Sequence, residues 1–238
     1  VAAALDALLA AGTRRFQFSG NGEVFTHPDA LRLMDRVKRR GAYVLANTNG
    51  TLLDRPVADA LIAMGFDDLR VTTMAGTADV YARTHAGARP DLFQRLRENL
   101  RYLRERKAAL KARRPRLSVA TVIIAPNAED LLNTARFAAE VGACQAIFRL
   151  FDDVGDPGLA PIAPAPGQAD GVLRQLREAA AYLDARGVRH NVSNALDAFG
   201  REQNLDTTAL YRVIPCYYGW LSMRVDVLGE VYFCCRCG

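Results

Sequence analysis

Cysteine is scarce in this chain. There are five in 238 residues, and only Cys144 lies outside the last 23. No apolar run approaches the roughly 18 residues that a membrane-spanning helix needs, which argues against a membrane protein. No secretory signal is legible either: the opening VAAALDALLAAG is apolar but has no basic residues ahead of it. Disulfides need an oxidising compartment, so a reducing cytoplasm is the expected location and thiols the expected state. Charge of one sign is also lacking, with 31 basic and 26 acidic residues and a net charge of +5. The basic excess is concentrated between Arg95 and Arg116, where Leu96, Leu100 and Leu103 keep a helical core face. That segment reads as a solvated helix face. It interleaves no aromatic residues that could stack bases, and no nucleic-acid-binding module is visible, so nucleic acid is not an expected partner.

What is present suits a folded α/β protein. Half of the residues are hydrophobic, enough for a sizeable core, and 238 residues suit one large domain or one domain with an appendage. The pattern predicts helices over 2–11, 28–39, 56–64, 92–113, 128–141 and 170–186. Between them it predicts strands over 15–19, 43–47, 69–73, 117–124, 145–150 and, shorter, 188–193. Alternation of this kind argues for a parallel sheet with crossover helices. The proline- and glycine-rich stretch DDVGDPGLAPIAPAPG reads as a long loop. The expected organisation is a core over 1–165, a bridging region over 166–214 and a cysteine-rich extension over 215–238.

The extension holds Cys216, Cys234, Cys235 and Cys237, and the first two bracket Gly229 in the spacing Cys-x12-Gly-x4-Cys. The intervening residues read as a β-hairpin, with Val225, Val227, Val231 and Phe233 alternating and a turn at Leu228-Gly229. A hairpin returns Cys234 to the neighbourhood of Cys216, and clustered sulfur ligands suit an iron–sulfur cluster or zinc. Adjacent strand residues point to opposite faces, so Cys234 and Cys235 cannot both face inward.

In parallel α/β folds, ligands meet the C-terminal ends of the strands. The segments that follow the first four strands are Ser19-Gly20-Asn21-Gly22-Glu23, Thr48-Asn49-Gly50, Thr72-Thr73-Met74-Ala75-Gly76 and Pro126-Asn127. Each alone is an ordinary strand-to-helix loop. Together they describe a rim of backbone donors, small hydroxyls and one carboxylate, suited to a small zwitterionic or ribose-bearing ligand. His27 reads as a cap or an exposed residue, His190 as structural and Cys144 as a small core residue. His85 and Arg83 lie near the exit of the third strand, and ordinary structural roles are the default for both.

The ordered set FSGNGEVFTHPD, ANTNGTLL, VTTMAGTADVYARTHAG and VIIAPNAEDL resembles the strand ends of radical S-adenosylmethionine enzymes. The C-terminal Cys-x12-Gly-x4-Cys resembles the opening of their SPASM or twitch extension. The family's Cys-x3-Cys-x2-Cys is not among these residues, and the expectation is that it lies upstream of Val1 in a longer protein. The resemblance implies a partial (β/α)6 barrel lacking its first strand, followed by a cysteine-rich β-hairpin extension. It implies that Gly20, Asn21, Gly22 and Glu23 hold S-adenosylmethionine and that Thr72 and Thr48 face its carboxylate or ribose. Cys216 and Cys234, with Cys235 or Cys237, would ligate an auxiliary [4Fe–4S] cluster. The implied activity is hydrogen abstraction from a peptide, protein side chain or small molecule, with ferredoxin or flavodoxin as electron donor. The alternative of a different class is a non-catalytic α/β binding or scaffold protein with a C-terminal zinc site.

One expected outcome follows for the cysteines. Protein reconstituted anaerobically with a complete extension should lose iron and sulfide on Cys216→Ala or Cys234→Ala and keep them on Cys144→Ser. Full cluster content in both alanine variants would reduce these cysteines to ordinary residues of a hairpin.

Overall fold

The periodicity of the chain is realised as alternating helices and strands. In the computed structural model, which describes residues 1–20, 22–85, 87, 90–151, 157–200, 222–226 and 229–232, α1 (Ala2–Ala10) leads into β1 (Arg15–Phe18). There follow α2 (Ala30–Arg39), β2 (Tyr43–Thr48), α3 (Arg55–Ala63) and β3 (Asp68–Thr72). Two helices, α4 (Ala78–Thr84) and α5 (Pro90–Ala109), precede β4 (Arg116–Ile123). Then come α6 (Leu131–Glu140), β5 (Gln145–Leu150), α7 (Ala169–Asp184), β6 (Arg189–His190) and α8 (Val192–Gly200). Local chemistry sets these elements. In α2, Ala30, Leu33, Met34 and Val37 recur at helical spacing and are buried, while arginines fill the other face. At the start of α3, the Asp54 carboxylate accepts the Val57 amide at 3.1 Å, and Pro56 occupies the first turn.

The first six strands pair in sequential order, and every pair is parallel. This is the partial α/β barrel expected from the sequence. Strand alternation gives the sheet two unlike faces. Val44 and Ala46, Leu69 and Val71, Leu117 and Val119, and Ala146 and Phe148 join one core cluster with helix residues such as Met34, Leu61, Leu100, Ala135 and Leu176. Successive helices also pack on one another: α1 on α2, α2 on α3, α3 on α5, α6 on α7 and α7 on α8. The intervening residues form the inner face. Its middle row runs Asn47, Arg70, Ser118, Gln145 and Arg189 in register, and the next runs Thr72, Ala120 and Ile147.

Two elements differ from expectation. The strand expected over 188–193 stops at His190, because the Asn191 side chain takes the next rung of the ladder. Its Oδ1 accepts the Phe148 amide and its Nδ2 donates to the Phe148 carbonyl, both at 2.8 Å. The chain is then free to begin α8, which buries Val192 and Ala195. The second difference is α4, too short for a clear helical period, which buries Val80 and Tyr81. The basic segment in α5 is not simply solvated. Arg97 and Arg101 pair with Glu140 of α6, and Arg106 pairs with Asp59 of α3. In the C-terminal segment, β7 (Arg224–Val225) and β8 (Val231–Tyr232) form the expected antiparallel hairpin, with Val225 opposite Val231 and Gly229 at φ +87°. Asn21, Cys216, Cys234, Cys235 and Cys237 lie outside the described residues.

The N-terminal end of the sheet is closed by paired charges. Asp67 is 2% exposed and accepts from Lys38 Nζ at 2.7 Å, from the Val44 amide at 2.9 Å and from Arg114. It thereby ties α2, β2 and the connection into β4 together. Beside it, Asp68 accepts from Arg116 Nε at 2.8 Å and from the Tyr43 hydroxyl, and Arg15 lies over the Tyr43 ring. Asp67→Ala would leave a cation and a buried amide unpaired, so it should cost about 3 kcal/mol. Asp29→Ala, which breaks an exposed pair with Arg32, should cost no more than about 0.5 kcal/mol. Urea unfolding of both variants checks the contrast, and equal midpoints would refute the stitching role of Asp67.

Candidate functional site at the C-terminal edge of the sheet

The loop after β1 delivers Glu23 to the loop after β2. Glu23 precedes a 3-10 turn, Val24–Thr26, and its Oε1 accepts the Phe25 amide at 3.3 Å. The same oxygen accepts the Thr48 hydroxyl at 2.6 Å, and Oε2 accepts the Asn49 amide at 2.6 Å. Thr48 is buried, and its Oγ1 also accepts the Gly50 amide at 2.9 Å. Its hydroxyl thus both donates and accepts within the loop and orients Glu23. The β2–α3 loop is itself rigid. Gly50 sits at φ +76°, where a Cβ would lie 2.4 Å from Leu96 Cδ1. Asn99 Nδ2 donates to the Gly50 and Thr51 carbonyls at 3.0 and 3.1 Å.

Gly20 and Gly22 are different. Neither has a positive φ, and a Cβ at either would meet no atom within 4 Å. Backbone strain and packing within the described residues therefore do not demand glycine at these positions. The absent side chains leave open space beside the backbone that leads into Glu23.

The loops after β3 and β4 divide the expected rim into open and packed parts. Thr72 lies half-exposed on the inner face, whereas Thr73 is buried and its Oγ1 donates to the Ala75 carbonyl at 3.2 Å. Asn127 is fully buried. Its Oδ1 accepts the Ile124 amide at 2.8 Å, and its Nδ2 donates to the Met74 and Val122 carbonyls at 3.1 and 2.8 Å. Asp130 is 4% exposed and accepts from the Gly76 amide at 2.5 Å and from Asn133 Nδ2 at 3.0 Å. Asn127 and Asp130 therefore hold the two loops together. Glu23 and Thr48 are in direct contact, and Thr72 lies on the neighbouring strand.

The inner face also carries residues that the reading of loops alone passed over. Asn47, Arg70 and Arg149 are polar positions inside apolar strands, in phase with the face that the helices leave uncovered. Their signal was a polar residue at every second position, as in DLRVT. Burial, and then repulsion by Arg149, pulls the Arg70 guanidinium below the usual arginine range.

Three of the remaining candidates make local contacts within the fold. His27 Nδ1 accepts the Asp29 amide at 3.1 Å. His190 Nε2 lies 3.0 Å from Asp184 Oδ1. Cys144 is half-buried, and its thiol donates to the Leu117 carbonyl at 3.2 Å. Arg83 is exposed on α4. Among the described residues, no cluster of three or more His, Cys, Asp or Glu side chains could hold a metal, and no helix is long and apolar enough to cross a membrane.

No family model matches the chain, and no curated protein sequence matches it. Solved structures do. SuiB from Streptococcus suis, bound to the precursor peptide SuiA, superposes with a TM-score of 0.69 at 14% identity, over 99% of this chain and 52% of SuiB. The structure of anSMEcpe with bound AdoMet and a peptide gives a TM-score of 0.67 at 17% identity, over 99% of this chain and 65% of that one. TYW1 with a lysine-pyruvate adduct gives 0.53 at 14% identity, over 76% of this chain and 58% of that one. The fold is therefore the partial barrel of radical S-adenosylmethionine enzymes, and the chain spans about half to two thirds of the length of these structures.

A pH dependence follows from His85. Its ring stacks on Tyr81 at 3.9 Å, and burial lowers its pKa from the ordinary 6.5, with the Tyr81 carbonyl acting in the opposite direction. The unfolded chain takes up the proton first. The His85 contribution to stability is therefore complete above about pH 6.5 and is lost as pH falls below it. His85→Phe, which keeps the stacked ring, should make thermal stability less sensitive to pH between about 7.5 and 5. An unchanged pH profile would show that His85 does not titrate on unfolding.

Proposed function

We propose that this chain is the core of a radical S-adenosylmethionine enzyme that abstracts hydrogen from a peptide or protein side chain. The observation that carries this reading is the Glu23 carboxylate, fixed by the Thr48 hydroxyl and the Asn49 amide at the C-terminal edge of a parallel partial barrel. Gly20 and Gly22 precede it in the same loop, with open space where side chains would be. That combination fits the zwitterionic end of S-adenosylmethionine. A carboxylate with an acceptor site to spare on Oε2 and exposed backbone carbonyls accept an ammonium, and the missing side chains allow close approach. When bound, the cofactor and a low-potential iron–sulfur cluster supply the one-electron chemistry for hydrogen abstraction.

The chain's own residues bind, orient and exclude water. In this reading Gly20, Asn21, Gly22 and Glu23 hold the cofactor, and Thr72 offers a hydroxyl to its carboxylate or ribose. Thr48 acts through Glu23, holding its carboxylate in place. Leu45, Ala120 and Ile147 supply a buried apolar lining to the inner face. In this reading Cys216 and Cys234, with Cys235 or Cys237, hold an auxiliary [4Fe–4S] cluster. Both SuiB and anSMEcpe were solved with peptides, which supports a peptide as substrate. A ferredoxin or flavodoxin in the cytoplasm would supply the electron.

Calorimetric titration of S-adenosylmethionine tests the reading. The wild-type chain should bind saturably, Glu23→Gln should weaken binding about tenfold or more, and Thr48→Val should weaken it severalfold. Reductive cleavage to 5′-deoxyadenosine is expected only from protein that includes a Cys-x3-Cys-x2-Cys motif. No saturable binding, or undiminished affinity in Glu23→Gln, would overturn the assignment.

A further inference from the structure

The inner face of the sheet changes character along the strands. At its N-terminal end the charges are paired: Arg116 and the Tyr43 hydroxyl with Asp68, and Arg15 over the Tyr43 ring. One step further toward the C-terminal edge, pairing stops. Arg70 is half-buried, and its Nε is buried with no hydrogen-bond partner. Asn47, its neighbour in register on β2, has a buried Oδ1 with no partner. Arg149, toward the C-terminal end of β5, has no ion-pair or hydrogen-bond partner among the described residues. A third buried atom without a partner, Thr121 Oγ1, lies on the opposite, helix-covered face and is unrelated.

Buried polar groups without partners are rare in native proteins, and each calls for an explanation. Here the explanation has a definite chemistry. Two guanidinium groups on one concave face, close enough for one to repel the other, attract an anion. The planar guanidinium matches a carboxylate with two parallel hydrogen bonds. The unpaired Asn47 oxygen asks in addition for an N–H donor beside that carboxylate. The row between Arg70 and Arg149 carries a small side chain, Ala120, in register between Thr72 and Ile147.

We propose that Arg70, Arg149 and Asn47 form a subsite on the inner face that binds a carboxylate of the substrate with an amide N–H next to it. An amino-acid-derived carboxylate, as at the end of a peptide or on an acidic residue, has this chemistry. The proposal rests on the reading of the partial barrel as a substrate-binding enzyme core and adds to it the substrate group recognised. The α-carboxylate of S-adenosylmethionine is a second source of the same chemistry. The placement favours the substrate, because Arg70 lies on the row below Thr72, farther from the C-terminal edge where Glu23 sits.

NMR of the arginine Nε–H resonances in the 238-residue chain tests this, with N-acetyl-L-alanine as probe and N-acetyl-L-alaninamide as its uncharged counterpart. The carboxylate probe should shift the Arg70 resonance saturably, and the amide should bind at least tenfold more weakly. Arg70→Met should weaken carboxylate binding about tenfold and Arg149→Gln about threefold. Arg149 is exposed, so its variant remains informative if Arg70→Met does not fold. Equal binding of the amide, or unchanged affinity in both variants, overturns the proposal. So does S-adenosylmethionine that shifts the Arg70 resonance and displaces the probe, because the subsite then belongs to the cofactor. S-adenosylmethionine binding without carboxylate binding sinks the subsite alone. Carboxylate binding without S-adenosylmethionine binding sinks the proposed activity and leaves the subsite standing.

Discussion

The rest of the structure depends on one constraint, the parallel pairing of six strands in sequential order. Crossovers between parallel neighbours share one hand. When strand order never reverses, every helix returns to the same side of the sheet. One face then has a core packed to completion, and the other has no helix to cover it among the described residues. This explains why Leu69 and Val71 belong to the same core cluster as Leu100 and Leu176, whereas Arg70, between them, does not. It also explains how a chain with half of its residues hydrophobic keeps a polar lining inside its sheet. The alternation of a strand permits both on adjacent residues.

The same constraint gathers all six strand ends at one edge, and the loops there are fixed by side chains more than by the ladder. Glu23 ties the first loop to the second, while Asn127 and Asp130 tie the third to the fourth. Each stitch uses a side-chain oxygen or amide to satisfy backbone groups that a strand leaves unpaired where it ends. Glu23 differs from the other two in its surroundings. Asn127 and Asp130 are enclosed, and a Cβ on nearby Gly76 would collide with the backbone of Asn133 and Thr134 at 2.1 Å. Glu23 is only half-buried, and the glycines before it open onto empty space. Structural and ligand-facing roles can therefore be told apart by what fills the volume around a residue.

The division of legibility between sequence and structure follows from the same physics. The first five strands and, apart from α4, the helices between them were readable to within a few residues, because apolar period and glycine or proline punctuation agreed. The sixth strand was overextended, since nothing in residue type alone shows that Asn191 will replace a ladder rung with its own amide. Glu23 and Gly22 were legible as a motif. Their partner was not, because the Asn49 contribution is a backbone N–H, which every residue but proline has. Thr48 ends β2, and its burial and its bond to Glu23 depend on the pairing of β1 with β2. Asn127 looked like a rim residue and is a strut. Arg70 and Arg149 carried a signal in strand alternation, yet that signal has meaning only once the helix-covered face is known.

The contrast between the two ends of the sheet bears on why the inner arginines stand where they do. Charges at the N-terminal end are arranged as they would be for stability. Asp67 meets two cations and a backbone amide, and Asp68 meets Arg116 and the Tyr43 hydroxyl, so burial is compensated. Arg70 has no such compensation. Its burial disfavours its charged form, Arg149 adds to that effect, and only Asp68 opposes it. A polar group left in this state costs stability, and a methionine or leucine of similar length would avoid the cost. The proposed carboxylate subsite would account for an arginine without a hydrogen-bond partner at Nε on the face that no described helix covers. Stability is concentrated at one end of the strands and unmet binding capacity toward the other, as expected of a barrel that takes its ligands at the C-terminal edge.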